Sequence, residues 1–352
     1  MDFFNKMRGK KESAPADSVW GNSLVKPETV LSMLEPGMSI YLSTGAAEPR
    51  TLLKHLIESD RGNITDLELI QVVSLGEAIT ANQLDSKKFR LKTFFQGWLA
   101  DEAISSGRVD LIPGFFSQIP HLIGSGQIAI DVAIIQISPP NAAGYCCLGI
   151  AMDAARQAMD RAQLVIGEVN DQIPLTFGDT FVSVSEFDYV VQSEEPPIYF
   201  PRIQPAEVYY RIAENIASIV ENGSCLAFSY GPVFEALGKT LSHKRDLGIH
   251  TPFMTDAVMD LCRSGAGSNR NKEVFKGKSL ASYAMGSQEL MAWLDNNPMV
   301  EFQGADKVFN PLVIGQNKQF VTLVPCRKVD LAGRIVLFSG KAVGGYNLVD
   351  TP

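Results

Sequence analysis

The amino-acid sequence predicts an α/β protein of two tandem open domains with mostly parallel sheets, and three observations carry that prediction. Short β-rich runs alternate with segments of helical period from Met38 onward, the pattern of parallel strands joined by crossover helices. A chain of 352 residues has the length for about two domains, each able to bury a core. Residues 194–205 (EEPPIYFPRIQP) hold four prolines in 12 residues, which excludes a helix interior and a central strand and divides the alternation into two series.

In the first series, residues 39–43 (SIYLS) read as a strand and Thr44 and Gly45 as the turn that closes it. Residues 48–59 read as a helix with Pro49 in its first turn, where a missing amide hydrogen costs nothing. Further strands are expected at 68–73, 131–138, 163–169 and 187–191, with a helix at 153–161. After the break come a long helix at 206–222, strands at 224–229 and 247–251, a helix from Thr255, and strands at 279–285 and 320–324. The expected organisation is a flexible tail over 1–23, a domain over 24–195, a proline-rich linker over 196–205 and a second domain over 206–352.

Composition narrows the function classes. With 45% hydrophobic residues, 19 Phe and 9 Tyr, the chain has the apolar content of a packed globule, and no apolar run reaches the roughly 20 residues of a membrane span. A formal charge of −8 without an extended basic run argues against a nucleic-acid or anionic-membrane partner. Five cysteines, an odd number without metal-ligand spacing, point away from a disulfide framework or a metal site and toward a reducing compartment. The first 20 residues lack an apolar segment and a cleavage site, so a cytoplasmic location is expected.

Open parallel sheets bind ligands beyond the carboxyl ends of their strands, so the candidate binding residues lie in the turns there. These are Thr44 and Gly45, Ser138, Pro139 and Pro140, Gly231, Pro252, and the pair Gly344 and Gly345. The proline pair fixes the backbone as a cleft wall and withdraws two amide donors.

Several of these turns, with their flanks, resemble the acetyl-CoA hydrolase/transferase family, within the class I coenzyme A transferases. The resembling strings are TGAAEPRTLL at Thr44, SSGRVDLIPGFFSQIPHL at Ser105, IDVAIIQISPPNAAGYCCLGIAMD at Ile130 and VIGEVNDQIPLTFGDTF at Val165. They continue with DLGIHT at Asp246, MGSQEL at Met285, NPLVIGQN at Asn310 and VDLAG at Val329, covering about residues 24 to 340. The resemblance implies a class I CoA-transferase-like fold and a ping-pong transfer of CoA, in which a glutamate attacks an acyl-CoA thioester and carries CoA to an acceptor carboxylate. It implies acyl-CoA and a small carboxylic acid as ligands, coenzyme A as substrate and no permanently bound cofactor. A homodimer, or a hetero-oligomer with a complementary subunit, is the expected assembly.

The sequence departs from the family where the chemistry resides. The family's nucleophilic glutamate follows the HT of DLGIHT, and that position is Pro252. The glycine-rich turn after Leu226 reads FSYGP, the arginine usual after MP is Leu175, and a typical asparagine is Val324. Beyond Phe338 the glycine-rich loop of the family reads SGKAVGGYN. The expectation is therefore altered chemistry on an acyl-CoA thioester, either hydrolysis or another glutamate-independent reaction. Alternatives are a catalytically degenerate CoA-binding subunit, and true CoA transfer through a relocated Glu48 or Glu235.

Three catalytic candidates remain. Glu48 fits a substrate-binding or acid–base group, or a carboxylate favoured by the helix dipole. His250, beside the lost nucleophile, fits a general base or a hydrogen-bonded strand-end histidine. Asp256 fits a retained family acid or a helix cap. Cys146, Cys147 and Cys326 read as small hydrophobes more readily than as nucleophiles, and Arg327, Lys328 and Lys341 as a solvated surface more readily than as phosphate contacts.

Overall fold

The computed structural model describes residues 20–76, 78, 87–95, 104, 107, 109–324, 326, 328–333, 335 and 336. The amino-terminal half forms strands β1 (Ser39–Leu42), β2 (Leu67–Gln71), β3 (Phe89–Thr93), β4 (Val109–Leu111), β5 (Val132–Ile137), β6 (Tyr145–Cys147), β7 (Leu164–Val169), β8 (Phe177–Gly178), β9 (Phe181–Ser183) and β10 (Tyr189–Gln192). Seven of them make one sheet in the order β10-β7-β5-β1-β2-β3-β4, parallel at every pairing. All six residues of β5 are buried, as expected for a strand covered on both faces.

Within this apolar sheet one row is polar. Glu168 of β7 is in register with Gln136 of β5, and Gln71 of β2 with Thr93 of β3, all buried near the carboxyl ends of their strands. That edge is where a parallel sheet offers a ligand site.

The second half contributes β11 (Cys225–Ala227), β12 (Gly248–Ile249), β13 (Phe253–Met254), β14 (Ser279–Ala281), β15 (Tyr283–Ala284), β16 (Val300–Phe302) and β17 (Phe320–Thr322). They form sheets ordered β12-β11-β17, β13-β15 and β14-β16-β8. The expected strand at 279–285 divides at Ser282, whose hydroxyl donates to the carbonyl of Gln303 at 2.9 Å, and its two pieces pair with different partners.

The halves interlock. β8 of the first half extends a sheet of the second, and one hydrophobic cluster runs from Trp20 to Phe309 through both. Phe116 stacks on Phe309 with centroids 5.1 Å apart. Trp20, within the stretch 1–23, is buried edge-on against Phe187. The described residues include no helix long and apolar enough to cross a membrane.

Candidate active site at the carboxyl edge

The helix after β1 is Arg50–Glu58 and does not include Glu48. Glu48 precedes a proline, which disfavours helical backbone, and it takes φ −56° and ψ 132° at the end of a 3-10 turn over Gly45–Ala47. Gly45 opens that turn at φ +61°, a conformation glycine adopts without strain. The turn sets the Glu48 carboxylate inside the protein, fully buried at the carboxyl edge of the sheet.

The polar row fixes it there. Gln71 Nε2 donates to Glu48 Oε2 at 3.0 Å, and Gln136 Nε2 donates to the Glu48 carbonyl at 3.1 Å. On another side the carboxylate presses on the backbone of Gly76, where a Cβ would lie 2.2 Å from Oε1. Beside it, Glu168 accepts from the amides of Thr51 and Leu52 at 3.2 and 2.9 Å and from the Ser193 hydroxyl at 2.7 Å, capping the helix Arg50–Glu58. Burial pushes the Glu168 carboxyl above its usual range, and those donors pull it back down.

Thr44 is buried beside the Asp153 carboxylate, which accepts from Tyr41 and Tyr283. Ser138 closes the neighbouring turn by accepting from the amide of Cys147 at 3.0 Å and donating to the Pro139 carbonyl at 3.0 Å. Pro139 is exposed and Pro140 half-buried, on the outer wall of that turn.

The proline-rich segment 196–202 ties the two halves together. The amide of Ile198 donates to the carbonyl of Ala46 at 3.1 Å, and two residues on, the amide of Phe200 donates to the carbonyl of Gly286 at 2.9 Å. Two extended residues span roughly 7 Å, so the turn bearing Glu48 and the turn braced by Asp256 are near neighbours. The segment then anchors in the second half, where Arg202 pairs with Asp260 and, at 3.0 Å, with Glu235, and Tyr230 donates to the carbonyl of Pro201 at 3.1 Å.

Asp256, at the first position of the helix Asp256–Arg263, accepts from the amide of Ser287 at 2.9 Å and from its hydroxyl. It braces the turn entering the helix Gln288–Leu294. Gly231, at φ +142°, starts the helix Pro232–Thr240. Pro252 is half-buried, and its carbonyl accepts from the amides of Ser282 and Tyr283 at 3.2 and 3.1 Å.

Of the two readings of His250, general base or hydrogen-bonded strand-end histidine, the ring's contacts match the second. Its Nε2 bonds the carbonyl of Val308 at 2.8 Å and its Nδ1 accepts from Asn317 Nδ2 at 3.2 Å, with the ring buried edge-on to Phe320. Both nitrogens are engaged, and burial lowers the pKa to about 4, leaving a neutral packed imidazole. Cys146 and Cys147 are buried, and burial beside Cys147 pushes the Cys146 thiol up to about 12, which suppresses a thiolate. Gly344, Gly345, Arg327 and Lys341 lie outside the described residues.

Sequence reasoning missed Gln71, Gln136, Gly76 and Arg202, and used Asp153 only as a motif letter. The polar residues inside otherwise apolar strands were the available signal for Gln71 and Gln136. Nothing local marks Gly76 or Arg202.

Comparison with known proteins follows this geometry. The acetyl-CoA hydrolase/transferase N-terminal domain matches residues 7–201, and the acetyl-CoA hydrolase/transferase C-terminal domain matches residues 286–345. The chain is 34% identical over 319 residues to the 4-hydroxybutyrate coenzyme A transferase of Clostridium kluyveri, covering 91% of this chain and 74% of that protein. It is 32% identical over 311 residues to the succinyl-CoA:acetate/propanoyl-CoA:succinate CoA transferase of Fasciola hepatica, covering 88% of this chain and 64% of that one. The crystal structure of RipA from Yersinia pestis superposes with a TM-score of 0.86 at 28% identity, covering 93% of this chain and 78% of RipA. The α/β fold is class I CoA-transferase-like. On sequence and fold together, the chain belongs to the acetyl-CoA hydrolase/transferase family.

Proposed function

We propose that this protein hydrolyses an acyl-CoA thioester with Glu48 as the base. Membership of a family whose relatives are CoA-transferases supports the acyl-CoA substrate. The observation that carries the choice of Glu48 is its buried carboxylate at the carboxyl edge of the sheet, held by Gln71 beside the strap that reaches Gly286. Pro252 has no carboxylate to offer, and the engaged His250 ring supplies no base.

In this reading water attacks the thioester carbonyl carbon while Glu48 takes its proton. The tetrahedral intermediate then breaks its C–S bond, and the proton passes from Glu48 to the leaving thiolate, giving a carboxylic acid and free CoA.

A panel of acyl-CoAs, incubated with and without acetate or succinate and separated by chromatography with mass detection, tests the reading. Free CoA is expected without any acceptor, with a loss of about 100-fold or more in Glu48→Gln. New acyl-CoA species that require the acceptor would replace hydrolysis with transfer through a relocated glutamate. Binding without turnover would favour the second reading, a CoA-binding subunit that needs a partner, which Pro252 itself recommends.

A further inference from the structure

The opposite edge of the second half carries a different feature. The turns that start β11 and β17, with the segment 270–276, line a cleft of about 470 Å³, among others through Arg270, Lys272, Lys276, Lys318 and Glu273. Four of these lining side chains are cations and one is acidic, in a chain whose formal charge is −8. This cleft lies at the amino ends of β11 and β17, whereas Glu48 lies at the carboxyl end of β1 in the first half.

Lys272 distinguishes the cleft from an ordinary basic surface. It is 3% exposed, and its Nζ donates to the carbonyls of Ile249 and Lys278 at 2.7 and 2.8 Å. Among the described residues no carboxylate lies within ion-pair distance of it. Burial lowers its pKa to about 8, and the field of Glu301, beyond ion-pair distance, only partly opposes that. An anion in the cleft would add negative charge beside this buried ammonium. At the rim, Lys318 meets Glu273 at 2.9 Å and Arg270 lies 3.8 Å from Asp246; these exposed contacts are easily exchanged for a ligand.

We propose that this cleft binds an oligophosphate anion, with Arg270, Lys276 and Lys318 meeting the outer charge and Lys272 facing its inner end. The volume exceeds what a single phosphate fills and suits a pyrophosphate or nucleoside diphosphate. Lys272 also holds the carbonyl of Ile249, the residue before His250, so an anion here stabilises the strand that leads to Pro252.

Calorimetric titration of the full chain with sodium pyrophosphate and with ADP tests the site. Saturable binding of pyrophosphate is expected, at least tenfold weaker in the double variant Arg270→Ser, Lys276→Ser and weaker at raised salt. ADP binding as tightly as pyrophosphate identifies a nucleotide as the source of the oligophosphate; pyrophosphate binding alone identifies the free anion. Glu48→Gln protein is expected to bind pyrophosphate unchanged, which separates this site from the acyl-CoA reading. No saturable heat with either probe, or an unchanged affinity in the double variant, overturns the proposal.

Discussion

Tyr41 Oη donates to Asp153 Oδ1 at 2.8 Å, and Tyr283 Oη reaches the other oxygen of the same carboxylate at 3.3 Å. Tyr41 lies on β1 of the first half and Tyr283 on β15 of the second, so one buried carboxylate holds both halves. Burial raises the Asp153 pKa, and its donors, including the amide of Ala154, oppose that rise.

Removing either hydroxyl leaves Asp153 short of a donor in a dry site, at a cost of about 1–3 kcal/mol. Tyr41→Phe is expected to cost more than Tyr283→Phe, because its bond is the shorter one. Urea unfolding of both single variants and the double variant checks this, and the expected result is non-additivity, since both act on one carboxylate. Equal and additive losses would contradict the shared role.

Gly76→Ala tests how Glu48 is positioned. The new Cβ would lie 2.2 Å from Glu48 Oε1 and 2.6 Å from Ile198 Cδ1, so the carboxylate or the strap has to move. The expected loss is about 1–3 kcal/mol of stability from overpacking. In a Glu48→Ala background the same substitution is expected to cost at least ~1 kcal/mol less, because one clashing group is gone. Thermal or urea unfolding of the four proteins reads the difference.

The sheet of the first half was legible because β1, β5 and β7 are buried apolar runs, a signal that survives without knowledge of partners. β3 was not, since Arg90 and Lys92 interrupt its apolar residues, and β8 and β13 are two residues long. The division at Ser282 escaped notice because hydrophobicity reports burial and is silent about which strand is paired. At the site, the sequence put Glu48 at a strand-end turn that opens a helix, whereas the helix begins at Arg50. The partners of His250 were not legible, because Val308 and Asn317, which engage its ring, lie 58 and 67 positions away.

His250 gives the chain a specific acid sensitivity. Its folded pKa of about 4 lies below the unfolded value near 6.5, so between those values the unfolded chain binds the extra proton. Stability from this group is present above pH 6.5 and is lost as pH falls toward 4, with roughly 2 kcal/mol gone by pH 5. Urea unfolding of wild type and His250→Gln at pH 7 and pH 5 is the measurement. Wild type is expected to lose about 2 kcal/mol more than the variant over that interval; parallel losses would show that the ring accepts a proton in the folded state.

Arg202 is the cation that lets the strap end among carboxylates. It pairs with Glu235, which is 4% exposed, and with Asp260, while Asp256 adds negative potential at Glu235. Arg202→Leu leaves Glu235 buried without its partner and is expected to cost roughly 2–4 kcal/mol at pH 7, below the full figure for a dry pair because the guanidinium is partly solvated. The sign of the pH dependence follows from Glu235. Burial already raises its pKa, and losing Arg202 raises it further, so the folded variant binds a proton that the unfolded chain releases. The deficit is therefore expected to shrink as pH falls from 7 to 5, the reverse of the His250 effect. Glu235→Gln in the same background removes the stranded charge and is expected to recover most of the loss at pH 7. If urea unfolding shows no recovery, the cost lies in the packing of the strap and not in its charge.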